Sequence, residues 1–350
     1  MRSAFFLALG LLTVVGCSAP SGDDGDVTSQ DLTTLPACLP LNDTCDAAAW
    51  HYDTRGWNHT IASTIVSNLG DPHHRGRDMF YTPGETQTVH AKFTYSLTDK
   101  DLHGEEIDVY VQRDCASGWE KLGTATTTDD GEHATVDEVS DNGGRIYFEI
   151  PESKKLGLGR HRIRTVVAGD GTYTDSFLDI VEPGTQVIVS DVDGTLTSSE
   201  NAEYLDILKG DIAGTHDGAP QALGTLAQKG FRVMYLTARP EILTSRTREF
   251  LKERGFPTGV VHTSSNTLGA GSGSSAETYK ENELALLKKK GLVVTYGFGN
   301  RASDSDAYAT VVSDPQHRIF YQISEAYQGR KVDSYEPLVS EFQRVAAVCQ

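Results

Sequence analysis

Two hydrophobic periods divide the chain. Between Thr86 and Val181 apolar residues fall on every second position: Val89, Ala91, Phe93 and Tyr95, then Ile107, Val109 and Val111, then Ile146, Phe148 and Ile150. A period of two marks half-buried antiparallel strands. Asp129-Asp130-Gly131, Asn142-Gly143-Gly144 and Gly169-Asp170-Gly171 place turns between them, so residues 86–183 are predicted to form an all-β, immunoglobulin-like sandwich. Glu182-Pro183-Gly184 ends that stretch. Beyond it, short β-branched runs alternate with amphipathic ones. The pattern predicts strands at Val187–Ser190, Phe231–Leu236, Gly259–His262, Val293–Phe298 and Arg318–Tyr321. Helices are expected over Asp217–Lys229, Pro240–Arg254, Ala276–Lys290, Asp304–Val312 and Tyr335–Val348, with a flexible loop over Thr267–Ser275. Such alternation defines a doubly wound, Rossmann-like α/β domain over 184–350.

Residues 36–85 show no clear period and read as an irregular, Cys-containing lead-in. His73 and His74 are adjacent there. Consecutive side chains on an extended segment diverge, so they read as surface histidines rather than a metal pair. Residues 17–35 are rich in Ser, Gly, Asp and Thr, which cannot bury enough apolar surface to fold, and read as a tether. Ahead of them, one Arg precedes an apolar run from Ala4 to Val15, of signal-peptide proportions and too short to span a bilayer. Val14-Val15-Gly16-Cys17 resembles the lipobox of bacterial lipoproteins. That resemblance implies a signal peptide over 1–16, lipidation of Cys17, and a lipid-anchored protein of the bacterial cell envelope; a plain secretory signal cut near Ala19 is the alternative. Without Cys17 the chain keeps Cys38, Cys45, Cys115 and Cys349, an even set suited to an oxidising compartment. Of the three pairings, Cys38 with Cys45 is the local expectation, leaving Cys115 for Cys349.

A formal net charge of -18 removes nucleic acid from the partner classes, because no basic stripe exists to displace phosphate counterions. It also disfavours attraction to anionic lipid. The one basic run, Lys288-Lys289-Lys290, falls at a predicted helix end, where cations suit the dipole.

The chemistry concentrates at the end of the first α/β strand. Asp191-Val192-Asp193-Gly194-Thr195-Leu196-Thr197 sets two carboxylates one residue apart on a glycine turn. Buried unpaired carboxylates are costly, so this pattern favours a divalent cation and hydrogen-bond donors nearby. Thr237, Lys280 and Asp304 follow at or near later strand ends and helix starts. The strand and its Asp-x-Asp-Gly-Thr turn resemble the first motif of the haloacid dehalogenase superfamily of phosphatases. A closer resemblance, over about Gln186 to Glu325, is to the lipin family of magnesium-dependent phosphatidate phosphatases and the related lipid-binding LNS2 domains. Gly214-Thr215-His216-Asp217-Gly218-Ala219, Tyr235-Leu236-Thr237-Ala238-Arg239, Tyr279-Lys280-Glu281, Phe298-Gly299-Asn300-Arg301 and Arg318-Ile319-Phe320 carry it.

The resemblance implies that Asp191 is a nucleophile forming an aspartyl-phosphate, that Asp193 is general acid and base, and that Thr237 and Lys280 cradle the phosphoryl group. It further implies Mg2+ at Asp191, Asp193 and Asp304, with Asp306 as an outlying acid, and substrate contacts from Gly194, Thr195, Arg239, Asn300 and Arg301. Asn300 departs from the family pattern, where a further Asp is common. So do the secretion signal, the β-sandwich and the lack of an evident amphipathic membrane-binding helix. The expected function is therefore hydrolysis of a phosphomonoester such as phosphatidate. The alternatives are a non-catalytic phosphatidate-binding module, or a phosphatase of soluble esters whose β-domain binds a polymer.

Overall fold

The computed structural model describes Cys38 and residues 45–116, 118–198, 212–265, 274–325 and 327–349. The lipobox, the tether and nearly all of the loop expected over Thr267–Ser275 lie outside them.

The chain first forms a short helix, α1 (Thr60–Ser67), and then ten strands. They are β1 (Arg75–Gly76), β2 (Met79–Tyr81), β3 (Thr88–Lys92), β4 (Thr94–Tyr95), β5 (Lys100–Asp101), β6 (Glu106–Gln112), β7 (Glu120–Thr126), β8 (Arg145–Glu149), β9 (Gly159–Val167) and β10 (Tyr173–Ile180). Sheets ordered β1-β3-β8 and β2-β10-β9-β6-β7 enclose Val89, Ala91, Phe93, Ile107, Val109, Ile146, Ile163 and Leu178, forming a β-sandwich region. Its first strands lie inside the stretch the sequence marks as irregular lead-in. β1 and β2 are two and three residues long, too brief to register as a period.

An α/β region follows: β11 (Gln186–Ser190), α2 (Ala219–Gln228), β12 (Arg232–Pro240), α3 (Thr244–Glu253), β13 (Val260–Ser264), α4 (Ser274–Lys289), β14 (Val293–Gly299), α5 (Ala302–Ala309), β15 (Arg318–Tyr321), β16 (Arg330–Val332) and α6 (Glu336–Phe342). All six strands are parallel, in the order β13-β12-β11-β14-β15-β16. The chain steps outward from β11 in one direction and then in the other, so the switch point, where ligands gather in such sheets, lies beside β11. Side chains of β11 alternate between two cores. Ile188 packs with Leu223 and Phe342, while Val187 and Val189 pack with Leu284, Leu287 and Tyr308. The charged strand β16 carries no apolar run, so no period along the chain marks it.

Each region lends residues to the core of the other. Leu286 of α4 belongs to the sandwich core, and Phe80 and Val181 belong to the α/β core. Asp78, fully buried, accepts from the amides of Phe177 and Val261 at 2.8 and 3.0 Å and from Arg248 at 2.7 Å. Lys290 is likewise buried. Its ammonium pairs with Glu85 and Asp137 at 3.1 and 3.0 Å and lies 3.9 Å from the Tyr81 ring centroid. The basic run at the end of α4 is thus split: Lys288 and Lys289 face solvent, and Lys290 is a tie between the regions.

Two further expectations are corrected. The disulfides join Cys38 to Cys349 and Cys45 to Cys115, not near neighbours in sequence. Cys45 is instead drawn to the β6 end by its flanking segment, where the Ala48 amide donates to Gln112 Oε1 at 3.1 Å. His74 is buried rather than superficial. Its Nε2 lies 2.9 Å from Thr172 Oγ1, its ring meets Phe93 and Tyr95, and burial pushes its pKa down to about 4.

Candidate active site

β11 ends at Ser190, and the next amide, of Asp191, still bonds across the sheet to the Phe298 carbonyl at 2.9 Å. The first carboxylate is therefore held in register with the end of β14. Gly194 adopts a φ of +75°, a conformation side-chain-bearing residues rarely take, and this turns the chain back over the strand end. The turn is then locked. The amides of Leu196 and Thr197 donate to the Val192 carbonyl at 2.8 and 3.0 Å, Gly194 N–H donates to Thr197 Oγ1 at 2.9 Å, and the Tyr335 hydroxyl donates to the Thr195 carbonyl at 2.8 Å.

Asp191 is only 5% exposed. One of its oxygens accepts from Lys280 Nζ at 2.7 Å and the other from Thr195 Oγ1 at 3.0 Å. Lys280 arrives from α4 and is itself 4% exposed. It reaches Asp304 Oδ1 at 2.5 Å as well, so one ammonium joins carboxylates from two strand ends. Asp304 Oδ2 accepts the amides of Asn300 and Arg301, both at 3.0 Å, satisfying donors at the start of α5. The close approach of Asp304 requires a glycine at 299, since a Cβ there would lie 2.4 Å from the Asp304 Cβ. Burial pushes the Asp191 carboxyl up, and the like charges of Asp304 and Asp193 add to this against the opposing Lys280. Burial alone would lower the Lys280 pKa, but Asp191 and Asp304 outweigh it and raise it.

Asp193 sits differently. Its side chain is 26% exposed, and Arg239 holds it with Nε 3.0 Å from both oxygens and a terminal nitrogen at 2.7 Å. Thr237 Oγ1 donates to the same carboxylate at 3.2 Å. Arg239 is 1% exposed and braced from behind by Thr247 Oγ1 at 3.1 Å. Arg239 thus faces a carboxylate rather than open space where a substrate would enter. Thr237 lies within β12 rather than at a helix start, because β12 runs to Pro240 before a single 3-10 turn over Glu241–Leu243. Asn300 accepts from Thr195 at 3.2 Å; Arg301 and Asp306 are exposed, Arg301 joining the Asp304 cluster through its amide. The sequence did not single out Tyr335 or Thr247, which support the site from outside the motif strings.

The candidate residues therefore form two adjoining groups. Asp191, Lys280, Asp304, Thr195 and Asn300 are connected, as are Asp193, Thr237 and Arg239. Among the described residues no group of three or more His, Cys, Asp or Glu side chains is arranged to hold a metal ion. Asp191 and Asp304 nevertheless direct hard oxygens at one point, now taken by the Lys280 ammonium, and that donor chemistry suits magnesium. Asp193 is turned to Arg239 and lies outside that pair.

Fold and site together define a parallel α/β region with a carboxylate–lysine centre at its switch point, joined to a β-sandwich. Comparison with known proteins gives each region a counterpart. Residues 188–322 match the family described as PITM 1-3, LNS2 domain, and residues 72–135 and 129–180 match PITM 1-3, beta-sandwich domain. Protein retinal degeneration B of Drosophila melanogaster is 28% identical over 278 residues, 77% of this chain and 20% of that protein. Membrane-associated phosphatidylinositol transfer protein 1 of Rattus norvegicus is 31% identical over 207 residues, 59% of this chain and 15% of that protein. The chain spans a fifth or less of the length of these curated relatives. A Mesorhizobium loti structure described as a HAD-like phosphatase aligns over 46% of this chain and 87% of its own, at 16% identity and a TM-score of 0.32, too loose a likeness to carry weight.

Proposed function

We propose that the chain hydrolyses a phosphomonoester, a lipid phosphate such as phosphatidate, at the β11 end. The observation behind this reading is the unlike setting of two carboxylates on one turn: Asp191 buried against Lys280, and Asp193 part-open beside Thr237. Asp191 forms a bond to phosphorus as the phosphorus–alkoxide bond breaks, and Asp193 delivers the proton that the leaving oxygen takes up. Asp193 then takes a proton from the water that cleaves the aspartyl-phosphate, releasing inorganic phosphate and restoring Asp191. Lys280 and Thr237 stabilise the phosphoryl oxygens. Magnesium, held by Asp191 and Asp304, supplies further charge neutralisation when bound. The spacing between the motifs leaves no room for a sizeable cap domain, which suits a bulky ester.

A second reading, phosphate-ester binding without turnover, is favoured by Arg239, which already occupies both oxygens of Asp193. Phosphate release with and without magnesium, from phosphatidate vesicles and from small phosphomonoesters, separates the two. The phosphatase reading expects release that Asp191→Asn lowers by about three decades or more. Vesicle binding without release by the wild type would overturn it in favour of a sensor. Release from small esters alone would reassign the substrate. The chain is further proposed to be exported and anchored through acylated Cys17, so Cys17→Ser should move it from the membrane to the soluble fraction. Retention after a high-salt wash would count against the anchor.

A further inference from the structure

Helix α1 leaves both of its isoleucines uncovered. A surface helix normally turns its apolar stripe inward and its polar face to water. Here Ser63 is the buried residue, 3% exposed, and its hydroxyl donates to Glu105 at 2.6 Å. Glu105, 1% exposed, also accepts the amides of Asn58 and His59, each at 2.8 Å, fastening the start of the helix to the sandwich by its polar side. Val66 packs against the sandwich core, while the other aliphatic residues of this segment point the other way. Ile61, Ile65 and Leu69, spaced four apart on one face, are 80%, 59% and 53% exposed. Leu97, 60% exposed, joins them from the β4–β5 turn, whose Ser96 donates to the Asp71 carbonyl at 2.8 Å and abuts Gly70. From Thr60 to Gly70 the sequence holds no charged side chain.

We infer that this patch is a docking surface for a lipid bilayer, into which the four aliphatic side chains insert. Soluble proteins rarely leave such residues clustered and uncovered without a partner. Their exposed area is roughly 500 Å², short of the roughly 800 Å² per partner that a stable protein interface buries. A bilayer needs no complementary surface, only uncharged aliphatic tips that reach the acyl boundary. With the chain at -18 overall, the run from Thr60 to Gly70 brings no charge of its own to a membrane, and the exposed Asp71 follows it directly. The patch connects to the candidate site. Two residues past Leu97, Asp99 pairs with Arg75 at 2.6 Å, and Arg75 pairs at 3.0 Å with Glu241, two residues past Arg239. Docking therefore takes place through an element tied to the turn that follows β12, the strand that carries Thr237 and Arg239. The proposal concerns binding and does not depend on turnover.

The test is co-sedimentation of the full chain with phosphatidylcholine vesicles. It compares wild type with the combined Ile61→Ser, Ile65→Ser, Leu69→Ser and Leu97→Ser variant, in a Cys17→Ser background so that no acyl anchor contributes. The variant should partition at least about tenfold more weakly, because the apolar area available for insertion is gone. Its thermal midpoint should be unchanged, since all four positions are exposed. Ile65→Trp gives a signal that needs no loss of binding: its fluorescence should shift to the blue on adding vesicles. Equal partition of wild type and variant, or no blue shift, overturns the proposal. So does a wild-type dimer by sedimentation velocity that the variant abolishes, which would make the patch a protein interface. Asp191→Asn should leave vesicle binding intact, so failure of the phosphatase reading is distinguishable from failure of this one.

Discussion

A guanidinium buried behind a catalytic candidate changes what a conservative substitution does. Asp193→Asn removes the proton carrier and also strips the buried Arg239 of its counter-charge. Breaking a fully buried pair costs about 3–5 kcal/mol, and the partial exposure of Asp193 lowers the expected cost to about 2 kcal/mol. Asp193→Asn should therefore lower the thermal midpoint by several degrees as well as abolishing release. Adding Arg239→Met should restore the midpoint and not the activity, and recovery of both would refute the role given to Asp193. Asp191, Asp193 and Thr237 stand out in the sequence because carboxylates and polar groups closing apolar strands need a chemical reason, whereas Lys280 and Asp304, which lie in helices, emerge through the family resemblance. The Arg239 pair does not stand out. It depends on the parallel register that sets Ser190 beside Tyr235, and no spacing along the chain shows that register.

Helix α4 links the two regions, which gives the sandwich a part in the site. Lys280 points to Asp191 from one turn. Glu283, in the next, meets His262 Nδ1 at 2.7 Å and Arg77 at 2.5 Å, and Leu286 enters the sandwich core. Near it, Glu241 accepts from Arg75 and Arg145 at 3.0 and 2.7 Å. Burial alone would raise the pKa of both glutamates. Arg77 and His262 outweigh it at Glu283, as Arg75 and Arg145 do at Glu241, and each is brought down to about 2. A carboxylate depressed from 4.5 to about 2 contributes stability that is present above pH 4.5 and lost as pH falls toward 2. Thermal midpoints measured from pH 7 to 3 should therefore fall most steeply below about pH 4.5. In Glu283→Gln the midpoint should start lower and the acid slope should be shallower; an unchanged slope would remove Glu283 from the account. The strands and helices of both regions were largely legible from their periods, because each buries a face. Their docking was not: Lys290 looks like a surface residue until the sandwich is packed over it.

At the scale of the whole molecule, covalent and non-covalent ties agree. Cys38 joins Cys349 across 311 positions, and Cys45 joins Cys115 across 70. Neither pairing was legible, because proximity along the chain favoured Cys38 with Cys45, and only the fold brings the closing segment beside the lead-in. Val348 is held there by its amide to the Lys229 carbonyl at 2.8 Å. Cross-links that close long loops restrict the unfolded chain, by about 2–5 kcal/mol each in the chain-entropy account. The longer bridge also turns the polypeptide from a line into a ring. A ring severed once is still one molecule. A protease that nicks a single peptide bond between Cys115 and Cys349 should yield a product of undiminished size on a non-reducing gel, which falls into two pieces only after a thiol is added. Separation without thiol would show that the ring is open.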